Sequence, residues 1–478
     1  MSKLHHRTAV GYTNYKNIKK PNCKQAMDLS SALYTKVGNS IEGKSKWYSC
    51  VEGSDGCIYG IPSTHRRVAK FDPNNEVLTV IGPELDGEGW SCGVLAGNGC
   101  IYCIPCDPSN SGILKIDTMD NLSKATETES VTILDAVLPS SEYAPWLSGA
   151  LAADGCIYFL PATARNILKL DPSNDTLSLV GREFDQHLID GVKFRGTIAA
   201  KNGYIYGVPD ESMHVIRFNP MNQNISYVGE DFSGEYFLCA DGGAIGRDGH
   251  VYTFCRLYYQ VMKIDTEKNL WSLFGNRPDE SWRRRAPSSV CAMLGSDGCI
   301  YWTPSANLSR THKFDPKKEI LSLIFHDKNA AGLTFSKWGS NTAASFLHSW
   351  GEGVSASSNG VLYCIPFDSD QILAIDPYKE YVESLRQKIE QYPNSLGGLF
   401  MEIEDDHEHS NYESALTKFG VQGVFQAIDK SIPSRVNYKG ASLPSFLVAA
   451  LCDNSVLDVI YFLLGKNVDC FLASLVQK

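Results

Sequence analysis

Short apolar runs alternating with polar turns recur along the whole chain. The clearest run follows a turn at Asp55 and reads Asp55-Gly-Cys-Ile-Tyr-Gly-Ile-Pro62. Further copies begin at Asn98 (NGCIYCIP), Asp154 (DGCIYFLP), Asn202 (NGYIYGVP), Asp248 (DGHVYTFC), Asp297 (DGCIYWTP) and Asn359 (NGVLYCIP). Successive copies lie 43, 56, 48, 46, 49 and 62 residues apart. A period of about 50 residues marks a repeat architecture.

Each copy sits inside a larger unit. Asp-Gly or Asn-Gly between apolar runs predicts a tight hairpin with positive φ at both turn positions. The run that follows places Tyr59, Tyr102, Tyr158, Tyr206, Tyr252, Tyr301 and Tyr363 at one equivalent position. A second run comes after a variable loop: Val68-Ala-Lys-Phe71, Ile113-Leu-Lys-Ile116, Ile167-Leu-Lys-Leu170, Val215-Ile-Arg-Phe218, Val261-Met-Lys-Ile264, Thr311-His-Lys-Phe314 and Ile372-Leu-Ala-Ile375. Asp or Asn ends each of these, usually with Pro, which is turn chemistry. A last run closes most units, as in Val77–Gly82, Leu177–Gly181, Ile225–Gly229, Leu270–Gly275 and Ile320–Ile324. Ahead of the Asp-Gly turn, a segment opens on an aromatic and continues with small residues, as in Trp47 to Cys50, Trp90 to Gly93 and Trp146 to Gly149. Four antiparallel strands per unit and seven units predict an all-β seven-bladed propeller. Each blade is apolar on both faces, because alternate residues of the second strand are apolar in either direction. It must therefore pack between two neighbours. Residues 32–38 read as a fourth strand with no blade before them, and are expected to close the seventh blade.

Four segments follow from this reading. Residues 1–28 form a mobile arm, and residues 29–378 the propeller. Residues 379–410 hold a helix-spaced stretch and an acidic linker, and residues 411–478 a small C-terminal α-helical module. Two connections inside the propeller are long, one at about 118–145, between the second and third blades, and one at about 326–350; loops of that length are functional or disordered more often than neutral.

The net charge of −10 argues against general binding to nucleic-acid phosphates. No apolar run is long enough to span a membrane. The polar, basic start of the chain lacks a signal-peptide core, so a cytoplasmic location is expected. Cys57, Cys100, Cys156 and Cys299 share one repeat position inside a strand, where reduced, buried thiols are expected.

The stretches Gly440–Ala450, Val456–Leu464 and Gly465–Asp469 resemble a degenerate ankyrin repeat, with Pro displaced by one residue and the usual His missing. Isolated ankyrin units bury no core, so the resemblance implies that this module docks on the propeller or on a partner. The blades lack the marks of WD and kelch repeats. Their Asp-Gly-x-Ile/Val-Tyr units resemble those of lactonase, lyase and regulator-of-chromosome-condensation propellers, although the Gly-Gln-Leu-Gly run of the last group is missing.

Topology separates two faces. The turns between first and second strands and between third and fourth strands share one face, and read as short and uniform. The loops between second and third strands, with the connections between blades, share the other face and vary freely. Function is expected on the variable face. Its strand 2–3 loops carry Arg66, Arg67, Arg165, Arg256 and Arg310, and a nearby loop carries Trp282, Arg283, Arg284 and Arg285. Arginine pairs with carboxylate or phosphate through a planar fork. These nine residues are the expected partner-binding or anion-binding positions. No nucleophile elbow, phosphate loop, dinucleotide fingerprint or zinc motif is present. No catalytic residue, cofactor or metal is therefore expected, and Asp406–His409 reads as part of a solvated linker. The expected function is a non-enzymatic scaffold that binds a protein partner or a small anionic ligand through the variable loop face, the helical tail or both. A lactonase- or lyase-type enzyme and a glycan- or small-ligand-binding propeller stand as alternatives.

Overall fold

The computed structural model describes residues 34–86, 89–106, 112–119, 130–134, 138, 143–184, 192–232, 240–255, 260–275, 291–302, 310–326, 350–355 and 359–377. The expected arm, helical linker and ankyrin-like module lie outside the described residues. Seven four-stranded antiparallel sheets are present, and within six of them every strand pairs with its neighbour in sequence. Blade one runs Trp47–Glu52, Ile58–Pro62, Val68–Asp72 and Val77–Ile81 from inside to outside. Blades two to six repeat this order from Trp90, Trp146, Phe194, Ala240 and Ala292. Blade seven takes Trp350–Ser355, Leu362–Pro366 and Ile372–Ile375, and its outer strand is Tyr34–Val37 from the start of the chain. Tyr34 faces Ile375 and Val37 faces Ile372. The ring is thus locked by pairing the two ends of the propeller, as the orphan strand requires.

The second strands explain why a ring forms. In blades one to five and seven, every residue from the one before Tyr to the end of the strand is buried. Alternate side chains leave opposite faces, so one sheet feeds two cores. Seven hydrophobic clusters result, and each spans two adjacent blades. The cluster of Tyr59, Ile61, Val68, Ile101 and Leu114 joins blades one and two. The cluster of Trp47, Ile58, Phe71, Tyr363 and Ile365 joins blades seven and one. The first strands of consecutive blades pack against one another all the way round. Small residues are needed there: a Cβ on Gly351 would collide with the Tyr48 carbonyl of the adjoining blade.

Cys100 and Cys103 are three residues apart on one strand, so they serve different clusters and cannot pair. None of the eleven described cysteines, including Cys57, Cys100, Cys156 and Cys299, is joined in a disulfide. Burial first, and then the Asp55 carboxylate, pushes the Cys57 thiol up to about 12.

Two expectations are corrected. The Asp-Gly hairpins have positive φ at Gly alone, +75° at Gly56. The Gly53 amide donates to the Cys57 carbonyl and the Gly56 amide to the Gly53 carbonyl, which makes a longer turn closed by left-handed glycine. Asp55 holds it by accepting the Cys57 amide at 3.0 Å, so no positive φ is needed at Asp. The second correction concerns residues 118–145. They contain Val131–Leu134, which is the fourth strand of blade two. The long segment before it therefore joins third and fourth strands, and the turn face is not uniformly short.

Candidate functional site

The face of the Asp-Gly turns spends its polar groups on itself. In all seven blades the turn Asp or Asn bonds the tyrosine hydroxyl four residues on. Tyr59, Tyr158, Tyr252 and Tyr301 donate to Asp55, Asp154, Asp248 and Asp297 at 2.7–2.8 Å. Asn98, Asn202 and Asn359 instead donate to Tyr102, Tyr206 and Tyr363 at 2.9–3.0 Å. Where the turn residue is Asp, a third-strand lysine supplies the counter-charge: Lys70, Lys169, Lys263 and Lys313 lie 2.9, 3.8, 3.5 and 2.7 Å from it. Two of the asparagines use the amide to reach the next blade. Asn98 donates to the Pro172 carbonyl and Asn202 to the Thr266 carbonyl, both at 3.0 Å. Tyr102 then finds its acceptor in Asp175 of blade three at 2.6 Å, and Lys115 joins it at 2.7 Å. Burial pushes the Asp55 carboxyl up, but hydrogen bonds from Lys70, Tyr59 and the Cys57 amide outweigh it and hold it below the usual range.

The opposite face is held from beneath by a few buried anchors. The indoles of Trp47, Trp90 and Trp146 donate to the carbonyls of Arg67, Gly112 and Asn166, at the end of each strand 2–3 loop. Lys46 is 1% exposed, and its ammonium donates to the Gly43 and Ser369 carbonyls at 2.8 and 2.7 Å. Burial lowers its pKa, against the partly offsetting charges of Asp368 and Asp370. Lys193 holds the same repeat position before blade four, and donates to Thr163 and Ala164 carbonyls at 3.1 Å. The outgoing connections add a third anchor. The amides of Leu85, Phe184 and Phe232 donate to the carbonyls of Arg66, Arg165 and Met213 in the strand 2–3 loops.

On this frame the expected arginines take different roles. Arg66 sends Nε to the Leu85 carbonyl at 2.7 Å, and lies 3.0 Å from Glu84 and 2.6 Å from Asp86. Arg67 is turned inward, with Nε on the Gly82 carbonyl at 3.0 Å. Arg165 stands 3.9 Å from Glu183. Arg66 and Arg165 are thus at equivalent places on the variable face, each with an acid of its own blade. Arg310 begins the third strand of blade six. Arg256, Trp282, Arg283, Arg284 and Arg285 lie outside the described residues.

Two constellations on this face escape a reading of loop arginines. Arg195, at the second position of the innermost strand of blade four, bonds Asp210, whose side chain is 4% exposed. The same two positions hold Tyr48 and Ser63, Ser91 and Cys106, and Leu147 and Ala162 in blades one to three. Alignment of the repeats on their Asp-Gly turns would expose this charged pair. The second constellation layers Arg182, Tyr227 and His214 across blades three and four. Among the described residues, no three His, Cys, Asp or Glu side chains are grouped to hold a metal ion, and no helix is long and apolar enough to cross a membrane.

No family model matches the chain. No curated protein matches it either. Solved structures do. A streptogramin B lyase superposes with TM-score 0.52 at 11% identity, over 72% of this chain and 97% of that one. A catalytically inactive variant of virginiamycin B lyase from Staphylococcus aureus, with quinupristin, gives 0.53 at 9%, over 72% and 99%. The extracellular domain of a protein described as a hybrid two-component system of B. thetaiotaomicron gives 0.50 at 12%, over 71% and 40%. At these identities the likeness is one of fold.

Proposed function

We propose that this propeller is a non-enzymatic binding scaffold that engages a protein partner, or an anionic group, through its variable loop face. The observation that carries the reading is the inequality of the two faces. Turn-face polar groups are consumed in a network repeated in every blade. The loop face instead presents half-exposed charges above buried anchors, as at Arg66 and Arg165, where blade four has Met213. A rigid frame under variable loops is how binding surfaces are built. Arg256, Arg310 and the Trp282–Arg285 loop belong to the same proposed surface by their positions in the repeat. Eleven described cysteines outside any disulfide fit a reducing, cytoplasmic setting. A lyase-like activity would need acidic or His side chains meeting at the channel mouth, and no observation on the described residues favours it.

The test is affinity capture with the full chain and with a triple variant, Arg66→Glu, Arg165→Glu and Arg256→Glu. Capture of the partner should be lost with little change in melting temperature. If the triple variant captures normally while removal of residues 411–478 ends capture, the C-terminal segment is the binding module and the proposal fails.

A further inference from the structure

The arginines of the loop face are not equivalent electrostatically. Arg66, Arg67 and Arg165 each have a carbonyl or carboxylate partner, and Arg195 has Asp210. On the turn face, Arg217 is bound to Ser226 and Asn269, and Arg247 to the Ser296 carbonyl. Arg182 differs. Among the described residues its guanidinium makes no hydrogen bond or ion pair; it lies 6.0 Å from the ring centre of Tyr227. Its sequence neighbour Glu183 is directed to Arg165. A cation over an aromatic face is held in place without being neutralised.

The surroundings are also particular. Tyr227 lies next to the end of the outer strand of blade four and is 48% exposed. Its ring packs on His214, with centroids 4.2 Å apart and planes 30° apart. His214 comes from the strand 2–3 loop of blade four, whereas Arg182 follows the outer strand of blade three. His214 Nδ1 is buried with no hydrogen-bond partner among the described residues. A positive fork, an exposed ring and a histidine from two blades are therefore layered at the loop-face end of the outer rim.

We infer that this seam between blades three and four is a docking point for an acidic peptide segment of a protein partner, with Arg182 reading a carboxylate and Tyr227 covering the adjacent chain. The inference rests on the binding role proposed above and gives it a partner chemistry. Charge complementarity selects the occupant: a guanidinium without an ion pair among the described residues favours a carboxylate, to which its fork donates bidentately. The half-exposed tyrosine adds apolar area beside that fork, which a small inorganic anion would leave unused.

Fluorescence anisotropy with the full chain and a labelled hexaglutamate peptide at low salt tests the assignment. Arg182→Ala should weaken binding at least about fivefold, because a charge-assisted bidentate contact is lost. Arg182→Lys should restore only part of it, since the charge is kept but the planar fork is gone. Tyr227→Ala should weaken binding too, whereas Arg217→Ala, on the turn face and already hydrogen-bonded to Ser226 and Asn269, should not. Unchanged affinity in Arg182→Ala, equal loss in Arg217→Ala, or no wild-type binding overturns the inference. Displacement of the peptide by equimolar inorganic phosphate also overturns it, as the site would then be an oxyanion subsite. If Arg182→Ala binds peptide normally while the triple variant above loses its partner, the scaffold reading stands and this seam falls. If neither set of changes affects binding, both fall.

Discussion

Replacing Asp55 by Asn changes one atom and tests the logic of the turn face. Asp55 accepts from Tyr59 at 2.8 Å, from the Cys57 amide at 3.0 Å and from Lys70 at 2.9 Å. Asn keeps the acceptor for the Cys57 amide. Its amide would face the tyrosine hydroxyl as a donor, as Asn98 does, but Tyr102 then has Asp175 of the next blade to donate to. Tyr59 is 2% exposed, and losing its acceptor costs about 1–2 kcal/mol. Lys70 loses its counter-ion; with its side chain 32% exposed, that contributes about 1 kcal/mol after screening. A total of roughly 2–3 kcal/mol should lower Tm by about 3–5 °C for a domain of this size. The difference has a definite pH dependence. The Asp55 carboxyl is held below its ordinary value in the folded state, so its stabilisation is present above the unfolded pKa of about 4 and is lost as pH falls through the depressed value. Melting followed by circular dichroism at pH 7 and at successively lower pH should show the two proteins converging in acid. Equal Tm at pH 7, or a gap that persists unchanged into strong acid, would refute the reasoning.

Thr311 is fully buried and its hydroxyl has no partner among the described residues, while the other blades carry Val or Ile at this position. Thr311→Val should therefore raise Tm by about 1–3 °C in a calorimetric scan, by removing an unmet polar group; a fall in Tm would show that the hydroxyl is satisfied. Deleting residues 1–38 removes the strand that pairs with Ile372–Ile375 and leaves blade seven with an open edge. The truncated protein should melt markedly lower and show fast amide exchange in blade seven, and a Tm within a degree of the full chain would contradict the closure.

The fold was legible because each unit repeats a turn, a buried tyrosine and a turn-terminated third strand, so seven weak signals reinforce one another. The outer strand of blade two escaped because Val131–Leu134 follows a long polar segment instead of a short turn after the third strand, and lacks the closing glycine found in blades one, three, four and five. The turn geometry was misread for a physical reason. Asn-Gly and Asp-Gly fit two hairpin types, and only the backbone distinguishes a turn with two left-handed residues from one with a single left-handed glycine. The choice of Asp or Asn also carries information that turn chemistry ignores. Asp occurs where the blade's own lysine approaches the carboxylate, as Lys70 and Lys313 do. At Asn98 and Asn202, an amide is what a neighbouring carbonyl can accept from.

Identity made the loop arginines conspicuous in the sequence, but identity says nothing of compensation. Glu84 follows Arg66 and Glu183 follows Arg165 at the same offset of 18 residues. Each is brought back because the outgoing connection is pinned to the arginine's own carbonyl by the amide of Leu85 or Phe184. The repeat that builds the scaffold thus also builds the ion pairs, and a periodic arginine on this face tends to arrive with its acid. Arg182 sits immediately after a blade-closing glycine, outside the loops in which basic residues were sought. Its nearest polarisable neighbour is a ring from the next blade rather than a carboxylate from its own. Arg182 is a departure from the repeat, since blade one has Pro83 and blade four Glu230 after the closing glycine, and it becomes visible only when each blade is compared with the others at the same position.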